Sequence, residues 1–113
     1  MHEMSLCESV LDILEQQALA QQFNRVKTVW LEIGQLSSVE PDAMRFCFDV
    51  VTKHTLAEHA RLEIIASPGR AWCLPCGQEI AVQTLYDACP LCGSAQLQVV
   101  SGDAMRIKEL EVE

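Results

Sequence analysis

The sequence predicts an α+β fold, in which a small sheet with two helices carries an inserted four-cysteine module. Two segments repeat apolar residues at helical spacing, and three segments alternate apolar with polar residues as half-buried strands do. Between the second and third of these strands, four of the six cysteines form two C-x2-C pairs. A chain of 113 residues has room for one modest core and one small satellite module.

Composition excludes several classes of function. Eight Lys and Arg against sixteen Asp and Glu give a net charge of -8, which opposes approach to nucleic acid or to an anionic membrane. The first twenty residues include four carboxylates and lack the basic and apolar regions of a signal peptide, and no run of about 20 apolar residues occurs. We therefore expect a soluble, cytoplasmic protein that binds neither nucleic acid nor membrane.

The first helix is predicted from Ser5 to Ala20. Its apolar residues recur every three or four positions, at Leu6, Val10, Ile13, Leu14 and Ala18. Ser5 and Glu8 match a capping box, in which the hydroxyl and the carboxylate satisfy free backbone N–H groups at the helix start. The first four residues are then expected to form an unanchored chain end.

A strand and a second helix follow. The strand is predicted over Val26 to Ile33, with Val29, Leu31 and Ile33 on its buried face. Ser37 and Glu40 match another capping box, and Pro41 suits a first helical turn. The predicted apolar face of this helix, which runs to about Lys53, comprises Ala43, Phe46, Cys47, Val50 and His54.

The remaining strands show that the cysteine module is inserted. A strand containing Leu62, Ile64 and Ala66 ends at Pro68-Gly69, and another strand begins after Gly102. Its apolar parity changes near Lys108, which predicts a bulge there. We therefore predict one α/β domain from residues 1–68 and 102–113, interrupted by a module at residues 69–101.

The module is predicted to bind zinc through Cys73, Cys76, Cys89 and Cys92. Two C-x2-C pairs, each followed by a glycine and separated from each other by twelve residues, direct four thiolates at one point, as in a zinc ribbon. Because sulfur fills all four tetrahedral positions, no place remains for an activated water, so the zinc is expected to be structural. Rubredoxin-like iron and a redox pair of cysteines are the chemical alternatives.

The amino terminus forms a second candidate metal site. The Met1 amine, the His2 amide and the His2 imidazole can close two adjacent chelate rings, and in-plane nitrogen donors suit Ni(II) or Cu(II). One further donor must come from Glu3 or from elsewhere, so the site is expected to be exposed and exchangeable. The alternative is that His2 is an ordinary solvated residue at a chain end.

These motifs together resemble the HypA/HybF family of nickel metallochaperones. The similarity includes MHEMSL at residues 1–6, WLEIG at 30–34, the paired knuckles and IKELEVE at 107–113. It implies that Met1, His2 and Glu3 hold nickel, so that 1–68 with 102–113 is the nickel-binding domain, and that the four cysteines hold zinc. It also implies delivery of nickel, with a HypB-type GTPase, to the NiFe-hydrogenase large-subunit precursor by a monomer or weak homodimer.

Other chemically reactive residues have simpler explanations. Cys7 and Cys47 are expected to pack in the core, His54 to cap or hydrogen-bond near the second helix, and His59 to be solvated. No arrangement of nucleophile and base or of paired carboxylates is evident, so no enzymatic role is expected. The competing hypotheses are a zinc-ribbon adaptor without nickel and a C-x2-C redox protein.

Overall fold

Two helices and two small sheets make up the fold, which a computed structural model describes for residues 2–113. The elements in chain order are α1 (Glu3–Gln21), β1 (Val26–Gly34), α2 (Pro41–Val51), β2 (Arg61–Ser67), β3 (Gly69–Cys73), β4 (Gln78–Val82), β5 (Leu97–Ser101) and β6 (Met105–Val112). The sheets are ordered β2-β1-β6 and β4-β3-β5. The predicted α+β class is confirmed.

The chain divides into two compact units, each built from separated stretches of sequence. Unit 1 comprises the chain up to Leu31, Val39–Ile65 and Arg106–Glu113. Unit 2 comprises Glu32–Ser38 and Ala66–Met105. The predicted module, residues 69–101, lies within unit 2, which also takes in the end of β1 and the turn after it.

The crossover between β1 and β2 accounts for the position of α2. The Val26 N–H donates to the Leu56 oxygen (3.0 Å) ahead of β2, and the Gln35 N–H donates to the Ser67 oxygen (2.8 Å) at its end. The two strands therefore run in the same direction. Parallel neighbours need a crossover of a dozen or more residues, commonly helical, and α2 lies in this one.

The start of α1 differs from the prediction. The helix begins at Glu3, with His2 as its N-cap at φ 52°, and the Ser5–Glu8 capping box does not form its start. Glu3 is buried, and its Oε2 accepts a hydrogen bond from the Glu40 N–H at 3.2 Å. The expectation of an unanchored end is therefore wrong for Glu3, because a contact distant in sequence holds its side chain.

Pro41 sets the start of α2. The N-cap is Glu40 rather than Ser37, and its carboxylate accepts from the Asp42 N–H at 3.2 Å. Proline disfavours the α conformation in the residue before it, and Glu40 is accordingly extended at φ -88° and ψ 117°. The Ser37 hydroxyl instead donates to the Gly34 oxygen at 2.7 Å, in the turn that ends β1.

The buried face of α2 also differs from the prediction. Met44 and Phe48 are buried, whereas Phe46 is 68% exposed and Val50 is exposed as well. Cys47 is only half-buried, between these two faces. Apolar residues surround much of this helix, so two overlapping stripes fit a period of 3.6 residues, and packing decides between them.

Unit 1 encloses a core made by α1, α2, β1 and the segment before β2. Its buried apolar residues are Cys7, Val10, Leu14, Val26, Val29, Leu31, Met44, Phe48 and Ala57. The predicted buried face of β1 is confirmed, but Ile13 of α1 is exposed rather than buried. No helix within residues 2–113 has the length and apolar character needed to cross a bilayer.

Strand β6 shows the change of parity that its sequence indicates. Met105 and Ile107 are half-buried, as is Leu110, while Lys108 and Glu109 between them are exposed. The inward positions thus switch from odd to even numbers within two residues. The proposed bulge at Lys108 and Glu109 stays a prediction.

We expect Gly102→Ala to destabilise the protein more than Gly93→Ala. Both glycines have positive φ, 86° and 75°, a conformation that costs a residue with a Cβ roughly 1–2 kcal/mol. At Gly102 a Cβ would also lie 2.4 Å from the Pro68 carbonyl oxygen, whereas nothing lies within 4 Å at Gly93. Denaturant unfolding of both variants measures the difference, and an equal loss would contradict the steric argument.

Candidate metal centre

The first knuckle closes the hairpin between β3 and β4. Cys73 ends β3, and the Gly77 N–H donates to its carbonyl oxygen at 2.8 Å. Gly77 has φ 63°, and nothing lies within 4 Å of the position a Cβ would take. Glycine is therefore favoured here by its backbone conformation and not by crowding. The turn brings the sulfur atoms of Cys73 and Cys76 within 4.8 Å of each other.

The second knuckle repeats this turn. The Gly93 N–H donates to the Cys89 oxygen at 2.8 Å, and Gly93 has φ 75°. The Leu91 N–H donates to Cys89 Sγ at 3.4 Å. Backbone donors to sulfur stabilise a thiolate, so this turn both positions the second cysteine pair and favours the charged form of Cys89.

A short hydrogen-bonded loop leads into the second knuckle. Asp87 accepts hydrogen bonds from the Gln83 N–H (2.8 Å), the Thr84 N–H (3.2 Å) and the Thr84 hydroxyl (2.8 Å). These hydrogen bonds lower the pKa of the Asp87 carboxyl, and the bond from the Gln83 N–H has the largest effect. The loop therefore holds the chain two residues before Cys89 in a defined conformation at neutral pH.

The four sulfurs converge on one point. All four cysteine Sγ atoms lie within 4.8 Å of one another, with Cys73 Sγ to Cys92 Sγ at 3.6 Å and Cys76 Sγ to Cys89 Sγ at 3.9 Å. Four sulfurs placed about 2.3 Å from a tetrahedral zinc would be about 3.8 Å apart. A disulfide would require about 2.05 Å, and all four cysteines are free thiols.

The electrostatics of the cluster favour a cation. Burial raises the pKa of Cys73, and hydrogen bonds with Cys92 and Cys73, together with burial, raise that of Cys76 to about 12. Burial also opposes ionisation of Cys89, but donors led by the Leu91 N–H outweigh it and lower its pKa to about 7. Without a cation, the thiolate of Cys89 is therefore favoured, whereas burial and thiol hydrogen bonds oppose ionisation of Cys73 and Cys76.

The cluster is part of a small core. Cys73 and Cys89 are buried together with Leu36, Ala71, Ile80 and Val82, and Cys76 and Leu97 pack against them. Cys92 is exposed. Leu36 follows β1, 37 positions before Cys73, and no pattern in the sequence indicates that it joins this core. The cluster thus brings together the end of β3, the turn that leads to β4, and the second knuckle.

The amino-terminal candidate site lies at the start of α1. His2 is exposed, and the first hydrogen bond of the helix runs from the Leu6 N–H to the His2 oxygen (2.9 Å). The His2 amide nitrogen therefore precedes the hydrogen-bond ladder. Glu3 is held by the Glu40 N–H, a contact that the sequence does not signal. Met1, the third predicted nickel ligand, lies outside the described residues.

The remaining cysteines and histidines lie outside the four-cysteine cluster. Cys7 is buried, its thiol donates to the Met44 oxygen at 3.5 Å, and burial raises its pKa to about 11. The prediction of core packing is confirmed for Cys7. His54 follows α2 rather than sharing its apolar face, and its N–H donates to Glu58 Oε2 at 3.1 Å. His59 is exposed, as expected.

Comparisons with known proteins cover the whole chain. A family model described as "Hydrogenase/urease nickel incorporation, metallochaperone, hypA" matches residues 1–112. Two proteins named hydrogenase maturation factor HypA align over 113 residues, 100% of both chains: that of Azotobacter chroococcum mcd 1 at 60% identity and that of Alkalilimnicola ehrlichii at 61%. The fold is similar to the solution structure of the Ni metallochaperone HypA from Helicobacter pylori, with a TM-score of 0.74 at 24% identity, over 99% of this chain and 97% of that one.

Proposed function

This chain belongs to the HypA family, whose members are nickel-incorporation metallochaperones and not enzymes, and on that premise we propose that it binds Ni(II) through Met1, His2 and Glu3. The observation that carries the proposal is the exposed His2 at the N-cap of α1, with its amide nitrogen ahead of the helical ladder. An amide in that position can lose its proton to a metal without breaking a helical hydrogen bond.

Glu3 has a second role in this proposal. Its carboxylate is held at the N-terminus of α2 by the Glu40 N–H. That contact fixes the backbone immediately after His2, so the nickel donors extend from an anchored residue. Glu3 then supplies the remaining donor atom to nickel. The Met1 amine and the His2 imidazole stay accessible, so the ion can be transferred.

We expect nickel affinity to depend on His2 and on a free terminal amine. His2→Ala should weaken binding about 100-fold, on the order of 2.7 kcal/mol, because it removes one chelate ring. Binding should also weaken as the pH falls below about 7, since the imidazole and the amine must both lose protons to coordinate. Isothermal titration of the protein with Ni(II) measures both effects.

Two comparisons keep this test specific. His59→Asn changes an exposed histidine outside the site and should bind nickel as the wild type does. A version extended by two residues before Met1 should lose affinity, because its amine is displaced from the chelate. Unchanged affinity in His2→Ala or in the extended version would refute the amino-terminal site.

We further propose structural zinc at Cys73, Cys76, Cys89 and Cys92, within the module at residues 69–101. The sulfur separations support it, because they fit a tetrahedral ion of zinc size better than they fit disulfides. Nickel binding is assigned to the domain formed by residues 1–68 and 102–113. Metal analysis of the purified protein distinguishes the alternatives: one zinc per chain supports the assignment, whereas iron or oxidised cysteines would overturn it.

The recipient of the nickel is proposed to be the NiFe-hydrogenase large-subunit precursor, with a HypB-type GTPase as the second partner, in the cytoplasm. The names of the relatives support hydrogenase, although the family description also includes urease. The module itself offers little to nucleic acid, because Arg70 is its only basic residue and pairs with Glu79 at 3.0 Å. Transfer of nickel to purified precursor should fail with His2→Ala and persist with His59→Asn.

A further inference from the structure

A pair of sulfur atoms lies inside unit 1, where α1 packs against α2. The Cys7 thiol contacts Met44 Sδ at 3.9 Å and donates to the Met44 carbonyl oxygen at 3.5 Å. Both side chains are fully buried. Neither of them belongs to the proposed zinc site or to the proposed nickel site, so this sulfur pair is a separate group of metal-binding atoms.

The distance between the two sulfurs suits one bridging metal ion. Two sulfurs bonded to the same ion at about 2.3 Å lie at most about 4.6 Å apart. The observed 3.9 Å therefore corresponds to a bent arrangement around a single ion. Methionine has three rotatable side-chain bonds, which let its thioether adjust to such an ion. Thiolate and thioether sulfurs are soft donors, and soft donors favour Cu(I).

Burial decides the charge of the ion. Cys7 supplies one negative charge when its thiol proton is replaced by a metal, and the thioether of Met44 is uncharged. A monovalent cation therefore leaves the site neutral, whereas a divalent cation would leave a positive charge buried in the core of unit 1, which is costly. The position thus favours Cu(I) over Zn(II) or Ni(II).

Cys47 offers an entrance to the buried pair. It follows Met44 by three positions on α2, so the two side chains are neighbours on the helix surface. Cys47 is half-buried, and after burial it is the next largest contributor to the raised pKa of Cys7, so the two thiols lie near each other. An ion that binds the Cys47 sulfur can pass to Cys7 while the Cys7 proton moves to Cys47.

We propose that Cys7 and Met44 bind one Cu(I) ion in the core of unit 1, with Cys47 as the entry ligand. One proton leaves the protein for each ion bound, and copper stays Cu(I) throughout, so binding is a ligand exchange that needs no oxidant. The proposal does not depend on nickel binding at the amino terminus. It gives the protein a separate place for a soft ion, away from the nitrogen donors of His2.

The methyl resonance of Met44 tests the site directly. Reduced, zinc-loaded protein with isotope-labelled methionine methyl groups is titrated without oxygen, first with Ag(I) as a soft monovalent probe and separately with Cu(I). The Met44 methyl should shift with either ion and stay in place with excess Zn(II). The shift is local to Met44, so ions bound by the four-cysteine cluster do not produce it. An unshifted Met44 methyl at ion concentrations above that of all six cysteines would overturn the proposal.

Two cysteine variants separate the ligand from the entry residue. Cys7→Ala should abolish the Met44 shift. Cys47→Ala should retain the shift but slow its appearance about tenfold or more, because the ion then lacks its first ligand. A Met44 shift that persists in folded Cys7→Ala would overturn the site, and an unchanged rate in Cys47→Ala would overturn its entry role.

Met44→Leu keeps the site testable if Cys7→Ala does not fold. Leucine is close to methionine in volume, so this exchange is well tolerated in cores. The variant should need about tenfold more Ag(I) than the wild type to shift the resonances of Cys7, because the thioether ligand is missing. Equal sensitivity of Cys7 in the two proteins would show that Met44 is not a ligand and would overturn the proposal.

Discussion

Replacing Cys73 with alanine is expected to unfold the four-cysteine module. Cys73 is fully buried at the end of β3, and its sulfur is 3.6 Å from that of Cys92. Structural zinc contributes roughly 10–16 kcal/mol of apparent binding energy at pH 7 in small zinc domains, which exceeds what a core of a few residues supplies. Loss of one ligand should therefore abolish stoichiometric zinc and the dispersed amide resonances of β3, β4 and β5.

Cys47→Ala provides the matched comparison. Cys47 is a half-buried free cysteine outside the cluster, so its replacement should leave zinc content and the module's spectrum unchanged. A strong chelator should reproduce the Cys73→Ala spectrum in the wild type. Acid should do the same, because protons compete with zinc for thiols whose pKa values are raised, as at Cys73 and Cys76. A folded, fully stable Cys73→Ala would contradict the structural role of the site.

Phe48→Ala is expected to lower the free energy of unfolding by about 3–5 kcal/mol. The Phe48 side chain is 1% exposed and packs in the core of unit 1, so its removal leaves a cavity in addition to losing buried apolar area. A loss of this size is a large part of the 5–15 kcal/mol that stabilises a typical domain. Denaturant unfolding followed by circular dichroism measures it.

Phe46→Ala makes the same chemical change on the other side of α2. Because Phe46 is 68% exposed, its removal should change the unfolding free energy by no more than about 0.5 kcal/mol. The pair therefore tests which face of α2 is buried. A larger loss from Phe46→Ala than from Phe48→Ala would restore the face that the apolar spacing predicts.

The candidate zinc site could be predicted from sequence because its determinants are local. Each C-x2-C-G segment forms its own turn, with the glycine at positive φ, so spacing alone identifies Cys73, Cys76, Cys89 and Cys92 as a set. The same holds for the alternation of β1 and for Pro41 at the start of α2, since both act within a few residues.

Contacts between distant segments decided the remainder. Glu3 joins α1 because the Glu40 N–H, 37 positions away, holds its carboxylate, and Leu36 enters the cysteine core from the end of β1. The choice of Phe48 over Phe46 depends on what α2 packs against, and the exposure of β5 depends on the order of strands in its sheet. The local turns, the set of four cysteines and the family are thus all readable in the order of residues along the chain. The buried face of each helix, the residue at which it starts and the order of strands in each sheet depend instead on which distant surfaces meet in the folded chain. The spacing of residue types along the sequence does not contain that information.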